Sequence, residues 1–247
     1  MKYSFLIASI LLPLSFQILT ACSSEEKKAD TPEGLFALAQ EYEKDERYED
    51  AIRKYTDVKN RFPYSSMAPK AELAIADVHF KEESFVDAQL SYVTFRELHP
   101  KHPQIDYVLF RIGLSYFKQL PETIDRDLSV ANEAINYFNE LINNYATSTH
   151  INDAKEKRDQ VMKKLAEKED YIGDFYFKRH LHESAIPRYE NLLKKFPNQG
   201  FDARALGRLV ISCKKTNDQA KAQKYFQVLK EKHSNTSDFN DARKVMN

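Results

Sequence analysis

Histidines are the residues of this chain best suited to metal binding, and four of them lie in two close pairs. His180 and His182 are two positions apart, while His99 and His102 flank prolines. A zinc site needs several ligands that converge on one point, yet residues two apart on a helix face different directions. His99 and His102 have no acidic or cysteine companion at ligand spacing, and His180 and His182 are expected in a turn between two helices. The sequence therefore predicts no metal and no cofactor at these histidines.

Two carboxylates flank a guanidinium in the sequence Asp125-Arg126-Asp127, an arrangement that could support acid–base catalysis. Nothing nearby indicates a cleft, a second base or a phosphate-binding loop, and the chain has no G-x-S-x-G, Walker or H-E-x-x-H motif. We therefore expect these residues to have a structural or partner-binding role, and we expect the chain not to be an enzyme. A hydrolase or amidase-like activity that depends on Asp125, Asp127 or His102 is the alternative.

The first cysteine, Cys22, closes the sequence LTAC, which follows an apolar run that starts at Phe5. This arrangement is typical of a secretory signal peptide, and it resembles a bacterial lipobox. The resemblance implies cleavage of residues 1–21 and attachment of an S-diacylglycerol group and an N-acyl chain such as palmitate to Cys22. Because Ser23 follows, it also implies sorting to the outer membrane. An ordinary signal peptide with a chance cysteine is the alternative.

Cys213 is the only cysteine besides Cys22, so lipidation of Cys22 leaves no disulfide partner and the exported domain depends on packing alone. Cys213 itself is predicted to be a small buried hydrophobe. Residues 22–30 are polar and charged, which indicates a flexible tether. The 37 basic residues balance the 37 acidic ones, which argues against a nucleic-acid partner. Only 5 glycines in 247 residues favour helix over sheet.

Apolar residues first recur at helical spacing between residues 32 and 65. Two such faces are separated by the polar stretch KDER, and Pro63 ends the second face because proline lacks the N–H that a helix needs. The segment is therefore predicted to be a helical hairpin whose small alanines let the two helices come close. Its apolar positions are Leu35, Leu38, Ala39, Tyr42, Ala51, Tyr55 and Val58.

The same pattern recurs along the rest of the chain. In every copy an alanine is followed four residues later by Tyr or Phe, the alanines being Ala51, Ala88, Ala134, Ala185 and Ala222. This pattern resembles the tetratricopeptide repeat (TPR), although the tryptophan of that repeat is absent. It predicts an all-α, right-handed α-solenoid over residues 31–235 rather than a generic helical bundle. The TPR-like hairpins are expected at about 32–65, 69–102, 106–146, 166–199 and 203–235.

The intervals between these alanines are uneven, and the long intervals predict local departures from the repeat. The third hairpin has nine more residues than the first between its tyrosine and its alanine, which predicts a loop around residues 121–127. The charged stretch before the fourth hairpin predicts one long helix from about Ile151 to Phe177.

Helix starts are predicted from capping residues. We expect Ser184 to cap the helix that follows it, so that Pro187 falls in the first turn, where proline is tolerated. Asp106 is expected to cap the first helix of the third hairpin. The C-terminal tail, 236–247, is predicted to contain one short helix over 238–246.

The connection between the second and third hairpins, HPKHPQIDYV from His99 to Val108, is more specific than the repeat requires. Together with Gly113 and the Asp125–Asp127 insertion, it resembles the BamD family, outer-membrane lipoproteins of the β-barrel assembly machinery. The resemblance covers the lipobox and essentially all of residues 31–235. It implies a non-enzymatic scaffold, anchored by lipid at the periplasmic face of the outer membrane.

The resemblance also implies the partners. The C-terminal hairpins would bind the central β-barrel assembly subunit, and the N-terminal hairpins would receive an accessory lipoprotein and the C-terminal signal of unfolded outer-membrane proteins. The scaffold would bring client and machinery together for insertion of the client into the outer membrane. The alternative is another periplasmic TPR lipoprotein adaptor, for example one that organises cell-envelope enzymes.

Helical register identifies side chains that point away from the seam of each hairpin. Those predicted to form a groove for a client peptide are Phe36, Gln40, Phe80 and Tyr107. Aromatic rings beside charged groups suit an extended peptide with an aromatic end. Packing of Phe36 and Phe80 inside the array is the alternative.

The last hairpin presents a basic edge, and the insertion adds charges of both signs. The residues expected to contact partners are Arg204, Lys214, Asp125, Arg126 and Asp127. A basic edge suits an acidic partner surface. Simple solvation is the alternative for Arg204.

Replacement of Cys22 by alanine tests the predicted lipid anchor. Several acyl chains hold a protein stably in a membrane, and without the thiol there is no site for the diacylglycerol. We therefore expect the Cys22→Ala chain to move from the membrane to the soluble periplasmic fraction, as measured by immunoblotting of both fractions. Cys213→Ala is the matched control and should keep the membrane location. A Cys22→Ala chain that stays in the membrane would contradict lipid anchoring.

Overall fold

The computed structural model describes residues 30–247, and within that range the chain is helical with no β-strand. The predicted signal peptide, Cys22 and nearly all of the predicted tether lie outside the described residues. The helices are α1 (Pro32–Lys44), α2 (Tyr48–Arg61), α3 (Met67–Lys81), α4 (Phe85–Leu98), α5 (Ile105–Lys118), α6 (Ala131–Asn144), α7 (Ile151–Lys178), α8 (His182–Lys195), α9 (Asp202–Lys215), α10 (Gln219–His233) and α11 (Ser237–Met246). The predicted all-α fold of helical hairpins is confirmed; the handedness of the array stays a prediction.

The described helices divide into two compact units, and the boundary between them in the sequence falls inside α4. The N-terminal unit ends at Ser91 and contains α1, α2, α3 and the first half of α4. The C-terminal unit begins at Tyr92 and contains the remaining helices.

The N-terminal unit is built around the apolar faces that the first repeat predicts. In this unit α1 packs on α2, α2 packs on α3, and α1 also touches α3. Short turns connect the helices, with Glu46 and Glu83 at positive φ where the chain reverses. The buried cluster is Leu35, Ala39, Ala51, Tyr55, Val58, Ala71 and Val78. The alanines of this cluster leave room for Tyr55, so the helices can approach closely and still bury a large ring.

The C-terminal unit repeats this arrangement in series. α5 pairs with α6, α7 with α8 and α9 with α10, while α6 packs on α7 and α8 packs on α9. Helices α5 to α10 thus contact chiefly their neighbours in the chain, whereas α11 packs mainly on α9. This is the packing of a helical array and not of a bundle around one centre.

Glycines set how closely the paired helices approach in two of these hairpins. A Cβ atom at Gly113 would lie 2.7 Å from Cε1 of Phe138, and one at Gly173 would lie 2.8 Å from Cε1 of Tyr189. Phe138 and Tyr189 are the aromatic residues that follow the repeat alanines by four positions, and both are fully buried. The two glycines are thus required because each buried ring occupies the space that a Cβ atom would take.

The last helix covers the end of the array. Thr236 accepts a hydrogen bond on Oγ1 from the N–H of Phe239 at 3.2 Å, which starts α11, and Phe239 stacks on Phe226 of α10 at 5.6 Å between ring centroids. A Cβ atom at Gly207 of α9 would lie 3.0 Å from Cβ of Asp238, so this glycine lets α11 approach. The predicted tail helix and the predicted long helix, α7, are both confirmed.

Two predicted helix caps are wrong. α8 begins at His182, so Ser184 lies inside the helix and Pro187 falls in its second turn. The missing proline N–H leaves the carbonyl of Glu183 without its helical partner, but Glu183 and Pro187 are exposed and water can satisfy that carbonyl. α5 begins at Ile105, so Asp106 lies in the first turn and not at the cap; a carboxylate there still favours the helix N-terminus.

Substitution of Gly113 by alanine tests the close approach of α5 and α6. Overpacking a buried contact costs about 1–3 kcal/mol, whereas alanine in place of glycine gains up to about 1 kcal/mol in helix propensity. We expect Gly113→Ala to lower the free energy of unfolding by about 1 kcal/mol, measured by urea denaturation. The same substitution in a Phe138→Leu background should cost less or stabilise, because the ring is gone. Equal losses in both backgrounds would show that the contact with Phe138 is not the cause.

Candidate protein-binding site

The 28-residue helix α7 positions most of the predicted partner-binding residues of the C-terminal unit. One face of α7 carries Asp170 and Asp174, which are nearly buried and pair with α9. Another face carries Lys164 and Lys168, which hold the insertion between α5 and α6. The sequence predicted the length of this helix but none of these four side chains.

Arg204 bridges the two buried carboxylates. Its Nη1 lies 2.9 Å from Oδ2 of Asp170, and its Nη2 lies 2.8 Å from Oδ1 of Asp174. Burial raises the pKa of Asp170 even though Arg204 opposes that shift. Burial also acts to raise the pKa of Asp174, but hydrogen bonds from Lys178 and Arg204 outweigh it and the pKa lies below its ordinary value. The guanidinium therefore compensates carboxylates that would be costly to bury alone.

A second arginine extends this ion cluster along α9. Arg208 lies one helical turn after Arg204, with its Cζ 4.1 Å from the centroid of the Phe177 ring and its Nη2 3.8 Å from Oδ1 of Asp174. Lys178 approaches Asp174 to 2.6 Å from the solvent side. These ion pairs join α7 to α9 by charge.

Arg204 thus forms ion pairs within the protein, which its position in the helical repeat does not predict. Its side chain remains 39 % exposed, so the predicted contact with a partner stays a prediction beside the observed ion pairs. The sequence does contain a signal for these ion pairs, namely the spacing of Asp170 and Asp174. Two carboxylates four residues apart on a helix share one face, and they require a cation when they are buried.

Lys214 lies at the opposite end of α9 from Arg204. The ten residues between them correspond to about 15 Å along a helix, and the Nζ of Lys214 donates a hydrogen bond to Oε1 of Gln219 at 3.0 Å. The predicted basic edge is therefore not one site: Arg204 belongs to the contact with α7, and Lys214 belongs to the turn before α10.

The insertion is held against α7 by its backbone. Lys164 donates from Nζ to the carbonyl oxygen of Glu122 at 2.7 Å and to that of Pro121, and Lys168 donates to the carbonyl oxygen of Arg126 at 2.8 Å. Leu128 is buried and anchors the far end. These contacts give the loop a defined position and leave the side chain of Arg126 exposed.

Both insertion carboxylates form local turn contacts. Asp127 accepts hydrogen bonds from the N–H of Ser129 at 2.9 Å and from its hydroxyl at 2.8 Å. The hydroxyl bond is the main reason that the pKa of Asp127 is lowered, and a bond from Thr123 is the main reason that the pKa of Asp125 is lowered. Both side chains are exposed, and these contacts shape the turn.

Three of the predicted groove residues belong to the N-terminal unit. The ring of Phe36 meets that of Tyr55 edge-on, with centroids 5.0 Å apart, and Phe80 meets Phe85 in the same way at 5.1 Å. Both rings are half-buried, whereas Gln40 is exposed. The structure thus shows Phe36 and Phe80 packing within the unit while each keeps part of its surface accessible.

Tyr107, the fourth predicted groove residue, lies among rings of the C-terminal unit. Its centroid is 6.5 Å from that of Tyr92 and 5.6 Å from that of His150. The guanidinium carbon of Arg111 is 5.7 Å from the same ring. Tyr107 is therefore half-buried in an aromatic cluster, and a peptide would reach only part of it.

Four of the residues first considered for chemistry make contacts inside the protein, namely His99, His102, His182 and Cys213. His99 and His102 both contact the ring of Phe95, at 4.8 and 5.1 Å between centroids, and His182 Nδ1 lies 3.2 Å from the hydroxyl of Ser212. Cys213 is fully buried, and burial raises its pKa to about 11, so it stays a thiol. Among residues 30–247, no group of three or more His, Cys, Asp and Glu side chains is placed to hold a metal ion.

Comparison with known proteins reveals a family match over most of the chain. Residues 28–229 match the family described as YfiO: Outer membrane lipoprotein. The outer membrane protein assembly factor BamD of Neisseria meningitidis serogroup B is 28 % identical over 224 residues, which cover 83 % of this chain and 84 % of that protein. The BamD of Rickettsia prowazekii is 26 % identical over 254 residues, covering 100 % and 98 %.

The structure of MamA protein aligns with 81 % of this chain and 90 % of that chain at 20 % identity and a TM-score of 0.40. No helix formed by residues 30–247 is long and apolar enough to cross a bilayer.

Substitution of Arg204 by methionine tests the ion cluster. Loss of one partner of a buried ion pair costs about 3–5 kcal/mol, but Arg204 is 39 % exposed and solvent screening reduces the effect. We expect a loss of about 1–2 kcal/mol at pH 7, measured by urea unfolding, with Arg126→Met as the exposed control that changes little.

The pH dependence of that loss identifies its cause. The pKa of Asp170 is raised, because its buried carboxyl group is more stable in the protonated form. Removal of Arg204 takes away a positive charge and therefore raises this pKa further. Asp174 has a lowered pKa, so the stability that it contributes is lost as the pH falls through that pKa. Both effects make the gap between wild type and Arg204→Met shrink from neutral toward acidic pH. A gap that is constant with pH would mean that the variant acts through packing alone.

Proposed function

The chain belongs to the YfiO family of outer membrane lipoproteins, and we propose on that premise that it is a scaffold subunit of the machinery that assembles β-barrel proteins in the outer membrane. The family match over residues 28–229 is the observation that carries this function. Several relatives that are named outer membrane protein assembly factor support it, because the alignments with this chain cover most of the length of those proteins. The alternative of an adaptor for cell-envelope enzymes has no such support.

The mechanism that fits this family and fold is binding without chemistry. A helical array presents extended faces to protein partners, and the charged and aromatic side chains described above provide contacts of different kinds on separate helices. A scaffold of this type accelerates assembly because it raises the local concentration of client and machinery.

A lipid on Cys22 would hold the scaffold at the periplasmic face of the outer membrane. The LTAC sequence and the family description support this proposal. An S-diacylglycerol group and an N-acyl chain together anchor a protein far more stably than one chain does. An anchored chain would encounter partners in the same membrane by diffusion in two dimensions rather than in three.

The N-terminal unit is the proposed receptor for unfolded clients. The half-buried rings of Phe36 and Phe80, together with the exposed side chain of Gln40, suit an extended peptide that ends in an aromatic residue. Accessory lipoproteins are proposed to bind this end of the chain as well. Tyr107 belongs to the C-terminal unit, where its half-buried ring is a separate proposed client contact.

The C-terminal unit is the proposed contact for the central assembly subunit. Arg204 and Lys214 keep part of their surface exposed, and the side chains of Asp125, Arg126 and Asp127 project from a loop that α7 holds in place. Charged groups on a defined backbone determine which partner surface is accepted and in which orientation.

Affinity purification tests the function directly. A tagged full-length chain, purified in detergent from its native membrane, should recover the central β-barrel assembly subunit, identified by mass spectrometry. Depletion of the chain should lower the amount of folded β-barrel proteins in the outer membrane. Recovery of cell-wall enzymes in place of assembly subunits, with normal barrel-protein levels on depletion, would overturn the proposed function.

Substitution of Gln40 by tryptophan tests the client site. Gln40 is exposed on α1, so the large ring should obstruct a bound peptide while leaving the Phe36–Tyr55 contact intact. We expect affinity for a labelled C-terminal peptide of an outer-membrane β-barrel protein to fall by about tenfold or more, measured by fluorescence anisotropy. Gln223→Trp, at an exposed position of α10, is the matched control. Unchanged binding by Gln40→Trp would remove this face from the client site.

A further inference from the structure

The chain that leads from Cys22 enters the N-terminal unit beside the turn that joins α2 to α3. Oδ1 of Asp30 lies 3.0 Å from Nη2 of Arg61, the last residue of α2. α1 starts at this point, α2 returns to it, and α3 starts close to it again, since short turns reverse the chain between these helices. We call this end of the N-terminal unit, residues 30–35 and 58–70, the α2–α3 edge.

The length of the connecting chain limits how far the proposed lipid on Cys22 can lie from this edge. Eight residue steps separate Cys22 from Asp30. An extended chain advances at most about 3.6 Å per residue, so the lipidated residue lies within about 30 Å of Asp30. Because the acyl chains of the lipid are buried in the bilayer, the anchor acts on the N-terminal unit through the α2–α3 edge and keeps that edge near the membrane surface.

The turn at this edge exposes one tyrosine completely. Phe62 and Met67 pack on the buried cluster of the unit, and the N–H of Ser65 donates to the carbonyl oxygen of Phe62 at 3.0 Å. The turn therefore has a defined shape, with Pro63 and Tyr64 at its tip. The side chain of Tyr64 is fully exposed, whereas the next most exposed large hydrophobic side chain of the described residues has a value of 62 %.

The opposite edge of the N-terminal unit is formed by the α1–α2 and α3–α4 turns. Glu82 lines the same surface depression as Glu46 and Asp50, so the two turns lie side by side. Residues 41–51 and 78–88, which lie within one helical turn of this edge, contain nine acidic and three basic residues. An anionic membrane repels such an excess of negative charge, so the opposite edge does not suit a membrane surface.

The α2–α3 edge lacks this excess of negative charge. It contains three basic and two acidic residues, which are Lys59, Arg61, Lys70, Asp30 and Glu33. Asp30 is paired with Arg61, while the side chain of Lys70 is exposed. Tyrosine and basic side chains are the residues that membrane proteins place at the level of the lipid headgroups. The composition of this edge therefore suits the headgroup layer.

The small size of the exposed apolar surface favours a membrane over a protein at this edge. A standard protein interface buries about 800 Å² on each partner. A single ring flanked by Pro63, Ser65 and Ser66 provides much less apolar area than that. A membrane contact does not need such an area, because the acyl chains supply the anchoring and the ring only has to determine the orientation.

We propose that the α2–α3 edge lies on the headgroup layer of the membrane that holds the Cys22 lipid, with the ring of Tyr64 among the headgroups and Lys59 and Lys70 next to lipid phosphates. The contact orients the N-terminal unit and directs its acidic edge away from the bilayer. The proposal rests on the lipid anchor of the proposed function, and it adds a second membrane contact that does not depend on the assembly partners.

Tryptophan fluorescence tests this contact, because the chain contains no tryptophan of its own. The lipidated Tyr64→Trp chain is reconstituted in vesicles of phosphatidylethanolamine and phosphatidylglycerol that carry bromine near the headgroup end of the acyl chains. We expect bromine to quench about half of the emission or more, compared with vesicles that lack bromine. Asp45→Trp, at an exposed position of the opposite edge, is the matched control and should keep nearly all of its emission. Thermal melting confirms that both variants fold.

Charge reversal tests the contact with lipid phosphates. In the Tyr64→Trp chain, Lys70→Glu should lower the quenching by about twofold, because it replaces attraction to phosphatidylglycerol by repulsion. Lys44→Glu, which reverses an exposed lysine at the opposite edge, should leave the quenching unchanged. Equal quenching in the two charge variants would contradict the phosphate contact.

The other outcomes separate the membrane contact from the function. Quenching that is absent from Tyr64→Trp, or equal in Tyr64→Trp and Asp45→Trp, overturns the contact but not the anchor. A Cys22 that carries no lipid by mass spectrometry overturns the anchor and the contact together. In native membranes, a photo-crosslinker in place of Tyr64 should attach to lipid, and attachment to another protein or to a second copy overturns the contact. Recovery of the central assembly subunit by the wild-type chain tests the function independently of all these results.

Discussion

The contact between a small residue on one helix and a buried aromatic ring on the next is the constraint on which this array depends. Gly113 against Phe138 and Gly173 against Tyr189 bring the helices closer than any side chain would permit. Dispersion contacts and burial of the ring then stabilise the pair of helices, because neither helix alone could bury the ring. Because each of these rings fills the space beside one glycine, these two hairpins have a definite register. Charged and aromatic groups on the outer faces are consequently held at fixed positions.

The helical hairpins could be predicted because their signal is local and repeated. The alanine and the ring four residues later both lie on one helix, so the sequence displays the pattern directly, as at Ala134 and Phe138. The long helix α7 was predictable for the same reason. Pro187 was placed in the wrong turn because the start of α8 depends on backbone hydrogen bonds to the carbonyl of Leu181, and the identity of Ser184 does not report them. Asp106 was misplaced for a similar reason, since the helix starts without a side-chain cap.

Most contacts of the candidate site could not be predicted from the sequence, because they join helices that are distant in the chain. Arg204 was recognised as a charge on the last hairpin, but its carboxylate partners belong to α7. Likewise, the insertion was located by its extra residues, whereas the lysines that hold it follow α6. Pattern reasoning identifies which face of a helix points outward. It does not identify what approaches that face, because this depends on how successive hairpins stack.

The way in which the insertion is attached determines which changes of sequence it tolerates. Lys164 and Lys168 donate to carbonyl oxygens of the main chain, and every residue carries such an oxygen whatever its side chain. An attachment through side chains of the loop would be lost when those residues are replaced. The side chains of the insertion can therefore change while these main-chain contacts keep the loop on α7.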